Sequence, residues 1–413
     1  MSEHTVGVVA DDLTGAGDCV VQFARAGWTS HLALGRDLPS AERAAVAVVT
    51  DARAQDDALA AAATAAAVRA LTDAGRLYVK IDSTMRGSVA AQVTGALTAW
   101  RERVPGAFAV VCPSYPALGR TVSEGVLLVG GVPVAATAAG HDPVTPVRTS
   151  DLTALLPGSV RVPADGDAAA LADRLTEASA AADVVVVDAL DDAGLERLAD
   201  AVVLLGARGV PVGSAGLAAA LAPRWGGDRA APGRPRVAVR RTLVVLSSLN
   251  EVSRGQAEEL LRAEPGTLLV TPEAGTGPDE AAARALGAAT EPPATVLVRT
   301  PEPTAPAGTG RERATRAAAE LADLVAAVTE RTRPHAVVLI GGDGARAVLA
   351  RLGARSVRVA GAVAEGVPLG RLEGGPAHGT VVVTKAGGFG TRRTVVDVLE
   401  SLRSYSSHQE VNP

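Results

Sequence analysis

The chain has 413 residues, room for two domains at roughly 100–200 residues each. With 47% hydrophobic and 21% charged residues it has the composition of a globular protein and not of a disordered one. A net charge of −5 without a basic cluster leaves nucleic-acid binding without a case, no apolar run approaches the roughly 18 residues of a membrane helix, and two cysteines build neither a disulfide framework nor a metal site.

The N-terminus, MSEHTVGVVADDLTG, lacks a basic n-region and meets an Asp pair after a short apolar run. It is therefore not read as a signal peptide, and the expected location is the reducing cytoplasm. Apolar runs then alternate with Ala/Leu-rich stretches along the chain. Strands are predicted at Thr5–Ala10, Val46–Thr50, Leu77–Ile81, Phe108–Cys112, Val184–Asp188, Leu243–Ser247, Thr267–Thr271, Val296–Arg299, Val337–Ile340 and Thr380–Thr384. Helices are predicted at Asp56–Ala74, Ala168–Ala182, Glu251–Arg262 and Arg311–Arg331. Nearly continuous apolar strands are buried on both faces, which is the pattern of parallel sheets covered by helices. The expected class is α/β: two α/β domains with mostly parallel sheets flanked by helices and a ligand cleft between them. Ala222–Arg241 is rich in Gly, Pro and Arg and has no apolar period. It reads as a linker at 226–241 between domains at 1–225 and 242–413. Pro301–Gly310 reads as a surface loop and the residues after Arg403 as a frayed end. No internal repeat of fixed period is visible.

Ligands of α/β sheets bind at the carboxyl ends of strands. The first strand ends in Asp11-Asp12-Leu13-Thr14-Gly15-Ala16-Gly17-Asp18. The paired carboxylates suit a general base, a metal or substrate hydroxyls, and Gly15 permits close backbone approach; an Asp helix cap with a Gly turn is the plainer reading. The third predicted strand runs into Lys80-Ile81-Asp82-Ser83-Thr84-Met85-Arg86-Gly87. Cations there match a carboxylate, and Asp82, Ser83 and Thr84 match sugar hydroxyls, against a capping box as the alternative. Arg120 follows a Pro/Gly-shaped loop after Cys112, a cysteine that reads as buried and structural. Pro211–Ala218 is a small-residue turn that a tight helix start explains equally well. His141 reads as a loop histidine capping its own turn.

The second half offers three strand-end turns: Ser247-Ser248-Leu249-Asn250, Gly341-Gly342-Asp343-Gly344 and Lys385-Ala386-Gly387-Gly388-Phe389-Gly390. Together they suggest a phosphate cradle of backbone N–H groups. None is a Walker sequence or a dinucleotide fingerprint, which makes an NAD(P)-dependent oxidoreductase a weak alternative. Of 40 Lys and Arg residues only two, Lys80 and Lys385, are lysine. In a chain that otherwise uses Arg, their survival reads as a need for a compact ammonium, with chance survival the plainer alternative.

These motifs, in this order, resemble the four-carbon acid sugar kinase family from Val6 to about Leu402. The most specific carriers are Asp11 to Ala16, Lys80 to Gly87, Gly213-Ser214-Ala215-Gly216-Leu217, Gly366-Val367-Pro368-Leu369-Gly370 and Lys385 to Gly390. The resemblance implies an N-terminal sugar-acid domain and a C-terminal nucleotide domain. The acceptor would lie on the Asp11/Asp12, Lys80–Arg86 and Arg120 loops, and ATP on those of Ser248, Gly341–Gly344 and Gly387–Gly388. The sequence departs from the family pattern at Gly17 (commonly Asn), Gly344 (Thr), Ala386 (Ser), near Ala362 (Glu) and at Ser247–Asn250 (Gly-Ser-x-Ser).

The leading expectation is an ATP-dependent kinase for a small sugar acid. Asp12 is its general base with Asp82 the competitor, and Lys80, Arg86 and Arg120 face the acceptor carboxylate or the phosphoryl oxygens. Asp11, Gly15, Ser83 and Thr84 complete the acceptor site. Ser248, Asn250, Gly341, Gly342, Asp343, Gly344, Lys385, Gly387 and Gly388 form the nucleotide site. Mg²⁺ would travel with the nucleotide and no separate metal site is expected; the protein partner expected is a second copy in a homodimer. A linker hinge would shut water out. The alternative is a weakened member that acts as a sugar-acid or nucleotide sensor.

Overall fold

The computed structural model describes residues 2–35, 37–39, 43–226, 239–272, 275–287, 291–301 and 311–407. The chain divides into two compact units, Met1–Pro232 and Gly233–Pro413. Residues 227–238 of the predicted linker and 302–310 of the predicted loop lie outside the described residues.

The first unit contains β1 (Ser2–Ala10), β2 (Thr29–Ala33), β3 (Ala44–Val49), β4 (Ala74–Lys80), β5 (Phe108–Cys112), β6 (Arg120–Ser123), β7 (Val126–Val129), β8 (Val132–Pro133), β9 (Val160–Val162), β10 (Val184–Val187) and β11 (Gly209–Gly213). Its main sheet runs β2-β3-β1-β4-β11-β5-β10-β9, parallel throughout, and β6-β7-β8 form a small antiparallel sheet. The second unit contains β12 (Thr242–Leu246), β13 (Leu268–Val270), β14 (Thr295–Arg299), β15 (Ala336–Ile340), β16 (Ser356–Ala364), β17 (Val367–Glu373) and β18 (Val381–Lys385). These run β13-β14-β12-β15-β18-β17-β16, parallel as far as β18, with β17 antiparallel to both neighbours.

The strands form where sequence supplies β-branched runs, as in the four valines of β10 or TLVVL of β12, whose residues are nearly all buried. Helices start where an Asp, Asn or Ser accepts a first-turn N–H: Asp56 from Leu59, Asp167 from Ala170, Asp191 from Gly194 and Asn250 from Val252. Each such cap is worth about 1 kcal/mol.

The two units repeat one arrangement. In the first, β1 lies between β3 and β4, and β4 is followed in the sheet by β11; in the second, β12 lies between β14 and β15, followed by β18. Even the register agrees. Ala10 pairs with Val49 and Lys80, and Lys80 with Gly213; Leu246 pairs with Arg299 and Ile340, and Ile340 with Lys385. In each unit the chain leaves the first strand for one side and later returns on the other. The helices after β1 and β4 accordingly belong to different packed groups, and so do those after β12 and β15. This is a topological switch point, where adjacent strand ends open a crevice.

All ten predicted strands are present within a few residues. The prediction missed β2 and β6 to β9, which are short, and β16 and β17, whose Gly and Pro residues break their pattern. It also missed β11, whose sequence GVPVG argues against a central strand although every residue is buried. Two helices are shorter than expected: Asp57–Ala70 stops because Ala74 already begins β4, and Ala168–Ala178 ends four residues early. At the C-terminus the expected fraying is corrected for residues 404–407, because a helix continues from Thr394 to Ser407; the rest of that stretch lies outside the described residues.

Candidate active site

In the first unit the switch point brings the ends of β1 and β4 side by side, joined by a hydrogen bond from Asp11 N–H to the Lys80 carbonyl. Asp11, Asp12, Lys80, Asp82, Thr84 and Arg86 come together there. Asp12 caps the helix Leu13–Arg25, accepting from Gly15 N–H at 2.8 Å and from the Thr14 hydroxyl at 2.7 Å. Asp82 accepts from Thr84 Oγ1 and from Arg86 Nε at 2.9 Å and Nη2 at 2.8 Å. Arg86 also donates to Asp142 at 3.1 Å.

Sequence reasoning missed the residue that holds this cluster. Arg53, in a single 3₁₀ turn just after β3, donates from Nε and Nη2 to Asp11 at 2.7 and 2.9 Å. It also donates from Nη1 and Nη2 to Asp12 at 3.1 and 2.8 Å, and Nη2 lies 3.6 Å from Asp82. The available signal was position: Arg53 lies four residues past the end of the strand adjacent to β1, but adjacency is a property of the sheet order.

Burial pushes the Asp11 carboxyl above its ordinary value, with Arg53 opposing. Burial also acts to raise Asp12, but Arg53, Lys80, Thr14 and the Gly15 N–H together hold it below the ordinary value. Against its burial, Arg53 and Arg86 hold Asp82 well below that value. Exposure sorts the three: the side chain of Asp12 is 23% exposed, that of Asp82 8% and that of Asp11 0%.

Lys80 is buried. One of its three N–H groups donates to the Ile81 carbonyl at 2.7 Å, and the other two have no protein acceptor among the described residues. A Cβ on Gly15 would lie 2.4 Å from Asp12 Oδ1 and 2.8 Å from Lys80 Nζ, so only glycine lets the ammonium and the carboxylate approach the helix start. Ser83 is half-buried beside the cluster. Arg120, half-buried, donates to its own loop at Leu118, while its Nε is buried without a partner among the described residues. His141 Nδ1 contacts the Thr137 carbonyl of its own turn at 3.0 Å. Cys112 and Cys19 are buried free thiols; burial pushes Cys112 up to about 11 and Cys19 higher still. The Gly213–Leu217 motif is a tight helix start: Ser214 caps Gly216 N–H, and a Cβ on Gly216 would come within 2.6 Å of the Ser114 carbonyl.

The second unit's switch point is built from backbone and hydroxyls. Ser247 N–H bonds the Ile340 carbonyl and Gly341 N–H bonds the Lys385 carbonyl, so the three turns are knit together. Gly341 has φ 105°, a conformation that requires glycine, and the helix Gly342–Arg351 behind it has no side-chain cap. Asp343 lies in its first turn. Ser248 lies close enough to Gly387 that a Cβ there would fall 2.1 Å from its Oγ, and Asn250 flanks Gly388. Lys385 is almost wholly buried, and its ammonium donates to the carbonyls of Ala386 at 2.7 Å, Gly387 at 3.4 Å and Phe389 at 2.7 Å. Its three donors are thus spent on its own loop. Burial lowers it to about 8.

Two positions of the expected departures from the family pattern, Gly344 and Ser247, pack against each other and are open to test as one exchange. A Cβ on Gly344 would lie 2.1 Å from Ser247 Cβ and 2.3 Å from its Oγ. The Ser247 side chain therefore leaves room only for glycine at 344.

One crevice is lined by carboxylates and cations and the other by glycine turns, and the family comparisons divide the chain at the same place. Residues 6–221 match the family described as Sugar-binding N-terminal domain and residues 243–395 that described as Nucleotide-binding C-terminal domain. Among curated relatives, a D-threonate kinase of Bordetella bronchiseptica is 42% identical over 96% of this chain and 97% of its own length. A 3-oxo-tetronate kinase of Methylobacterium radiotolerans is 30% identical, covering 93% of this chain and 96% of its own. A solved Bordetella bronchiseptica structure, a domain of unknown function with bound citrate in a domain-swapped dimer, is 41% identical with a TM-score of 0.50, covering 96% of this chain and 98% of its own. The chain belongs to the four-carbon acid sugar kinase family and is a phosphotransferase acting on a hydroxyl group. No helix among the described residues is long and apolar enough to cross a membrane.

Proposed function

We propose that this chain transfers the terminal phosphoryl group of ATP to a hydroxyl of a four-carbon sugar acid such as threonate, erythronate or 3-oxotetronate. The observation that carries the reading is Lys80, a buried ammonium with two unspent N–H groups beside the most exposed of three carboxylates. An anionic polyhydroxylated ligand supplies what that site lacks: oxygens for the ammonium and a hydroxyl for the carboxylate. Arg86 and the unpartnered Nε of Arg120 add cationic donors nearby.

Asp12 is the proposed base in preference to Asp82, which is committed to Arg86 and Thr84 and is nearly buried. Asp12 already accepts from Gly15, Thr14 and twice from Arg53. The Thr14 hydroxyl is the contact that can rotate away, and the acceptor hydroxyl takes its place on Oδ2. As the acceptor oxygen bonds to phosphorus and the bond to ADP breaks, the acceptor's proton passes to Asp12. Lys80 neutralises oxygens of the acceptor or of the phosphoryl group in flight.

For ATP, the uncapped start of the helix Gly342–Arg351 and the Gly387–Gly388 turn offer backbone N–H groups to the phosphates. Mg²⁺ fits as a passenger on the nucleotide, since the Asp343 carboxylate and the serine hydroxyls of this region are hard oxygen donors. The dimer of the Bordetella structure makes a homodimer the assembly to test, by light scattering.

The test is ADP release with ATP·Mg²⁺ and a panel of four-carbon acids, with the product identified by phosphorus NMR. Acid-dependent ADP formation and a phosphate monoester are expected. Failure of every acid, together with no calorimetric binding of ATP·Mg²⁺ at millimolar concentration, would overturn the kinase reading in favour of a sensor.

A further inference from the structure

We infer that Arg53 is the positioning residue of the acceptor site: it fixes Asp11 and Asp12 in the one arrangement from which Asp12 meets the acceptor hydroxyl. The inference rests on the kinase reading above but stands on separate geometry. Two carboxylates on consecutive residues and a third at the end of β4 crowd like charges into a buried place. Such a group cannot stay fully ionised without a cation at its centre. Arg53 is that cation, and four of its N–H groups are spent on Asp11 and Asp12. The planar fork gives the two carboxylates four N–H bonds at once, one more than an ammonium's three donors can make.

The backbone is arranged for this role. Asp51, before the turn, takes the left-handed φ of 53°, which swings the chain from β3 back toward β1. The Arg53 carbonyl then packs so tightly against Gly87 that a Cβ there would come within 2.2 Å of it. Gly87 itself has φ 85° and closes the loop that carries Asp82 and Arg86. One residue thus ties the ends of β1, β3 and β4, with its side chain on the first and its backbone on the last. Thr50 N–H, bonded to the Ala10 carbonyl at 2.9 Å, anchors the same turn to β1.

The charged groups facing Asp12 are Asp11 beside it, Arg53 from the turn after β3, Lys80 from the end of β4, and Asp82 on the far side of Arg53. With Arg53 removed, burial acts on Asp12 against Lys80, the Thr14 hydroxyl and the Gly15 N–H alone, without the largest opposing charge. Asp12 then titrates at higher pH, and the acid limb of kcat/KM moves up with it.

The experiment compares wild type, Arg53→Lys and Arg53→Met in the acid-dependent assay across pH, alongside a carbon-13 NMR titration of the aspartate carboxyls. In Arg53→Met, kcat is expected to fall about 100-fold or more while KM for ATP holds within about threefold, and the acid limb rises by about one pH unit or more. Arg53→Lys restores the limb toward wild type but not the rate, because charge returns without the fork. A folded Arg53→Met with an unmoved acid limb overturns the inference, as does a uniform loss with KM for ATP raised in parallel. If Arg53→Met does not fold, Arg53→Lys decides alone: wild-type kcat refutes the role, and a drop of about tenfold or more at constant KM for ATP supports it. If wild type phosphorylates no acid, the kinase reading fails by itself, and the carboxyl titration still reports whether Arg53 holds Asp12.

Discussion

The crevices of the two units share a register and differ in nearly everything placed on it. Where the first unit puts Asp11 and Asp12 after its central strand, the second puts Ser247 and Ser248; where β4 ends in Lys80, β15 ends in Ile340. The first crevice is held by charge, through Arg53, Arg86 and their carboxylates. The second is held by backbone, through glycines packed against serines. Buried ion pairs rarely add net stability, but they fix directions, which suits the side of a reaction that must tell one hydroxyl from another. Backbone N–H groups recognise phosphate without side-chain detail, which suits a nucleotide.

The two lysines sharpen this contrast. They are not equivalent: Lys80 ends β4, whereas Lys385 ends β18, whose counterpart in the first unit is β11. Two Lys80 N–H groups have no acceptor among the described residues, and Lys385 has given its own to three carbonyls. The largest effect is therefore expected from Lys80→Arg, in which a wider head is forced against Gly15. We expect kcat/KM for the acid to fall about 100-fold or more, roughly 2.7 kcal/mol of transition-state stabilisation. Wild-type kinetics from a folded variant would show that no compact ammonium is needed there.

The next effect tests whether the second crevice is packed as tightly as its glycines imply. Gly344→Thr should cost about 1–3 kcal/mol and raise KM for ATP, because its Cβ overlaps Ser247. Adding Ser247→Gly should recover most of both losses. Thermal melts of the two single variants and the double variant measure the coupling, and additive losses would refute the exchange.

Lys385 should act through the loop and so more weakly. Lys385→Met is expected to raise KM for ATP about tenfold with kcat nearly held. The pH dependence has two signs. Lys385 is charged below about 8 and neutral above it, so ATP affinity should weaken as pH rises through about 8, and Lys385→Met should flatten that limb. Stability runs the other way: between about 8 and the ordinary 10.5 the unfolded chain keeps a proton that the folded chain has lost, so the penalty for burying this amine shrinks with rising pH. A wild-type profile for Lys385→Met would remove the loop-bracing role.

The smallest effect concerns Cys19 and Cys112. Burial raises both thiols, so neither supplies a thiolate at neutral pH. A thiol reagent should leave native activity intact and react with both cysteines only in denaturant. Rapid loss of activity with labelling of the native protein would break the division into a charged and a backbone-built crevice.

Much of this was legible in the chain. Valine-rich runs marked the strands, and composition marked the two halves. The Asp11–Asp12, Lys80–Arg86, Ser247–Asn250, Gly341–Gly344 and Lys385–Gly390 segments were found because strand ends are where α/β proteins carry ligands. Local pattern therefore determined which segments matter, since alternation, caps and glycine turns are written in neighbouring residues. It did not determine which segments meet. Arg53 was invisible because it is far in sequence from the carboxylates it binds, and only the order β3-β1-β4 makes it their neighbour. The repeat of the two units left no periodic trace, because it is a repeat of strand order and register, which many sequences satisfy. The difference between Lys80 and Lys385 was likewise decided by folding: the same side chain keeps donors or spends them according to how many carbonyls the tertiary structure turns toward it.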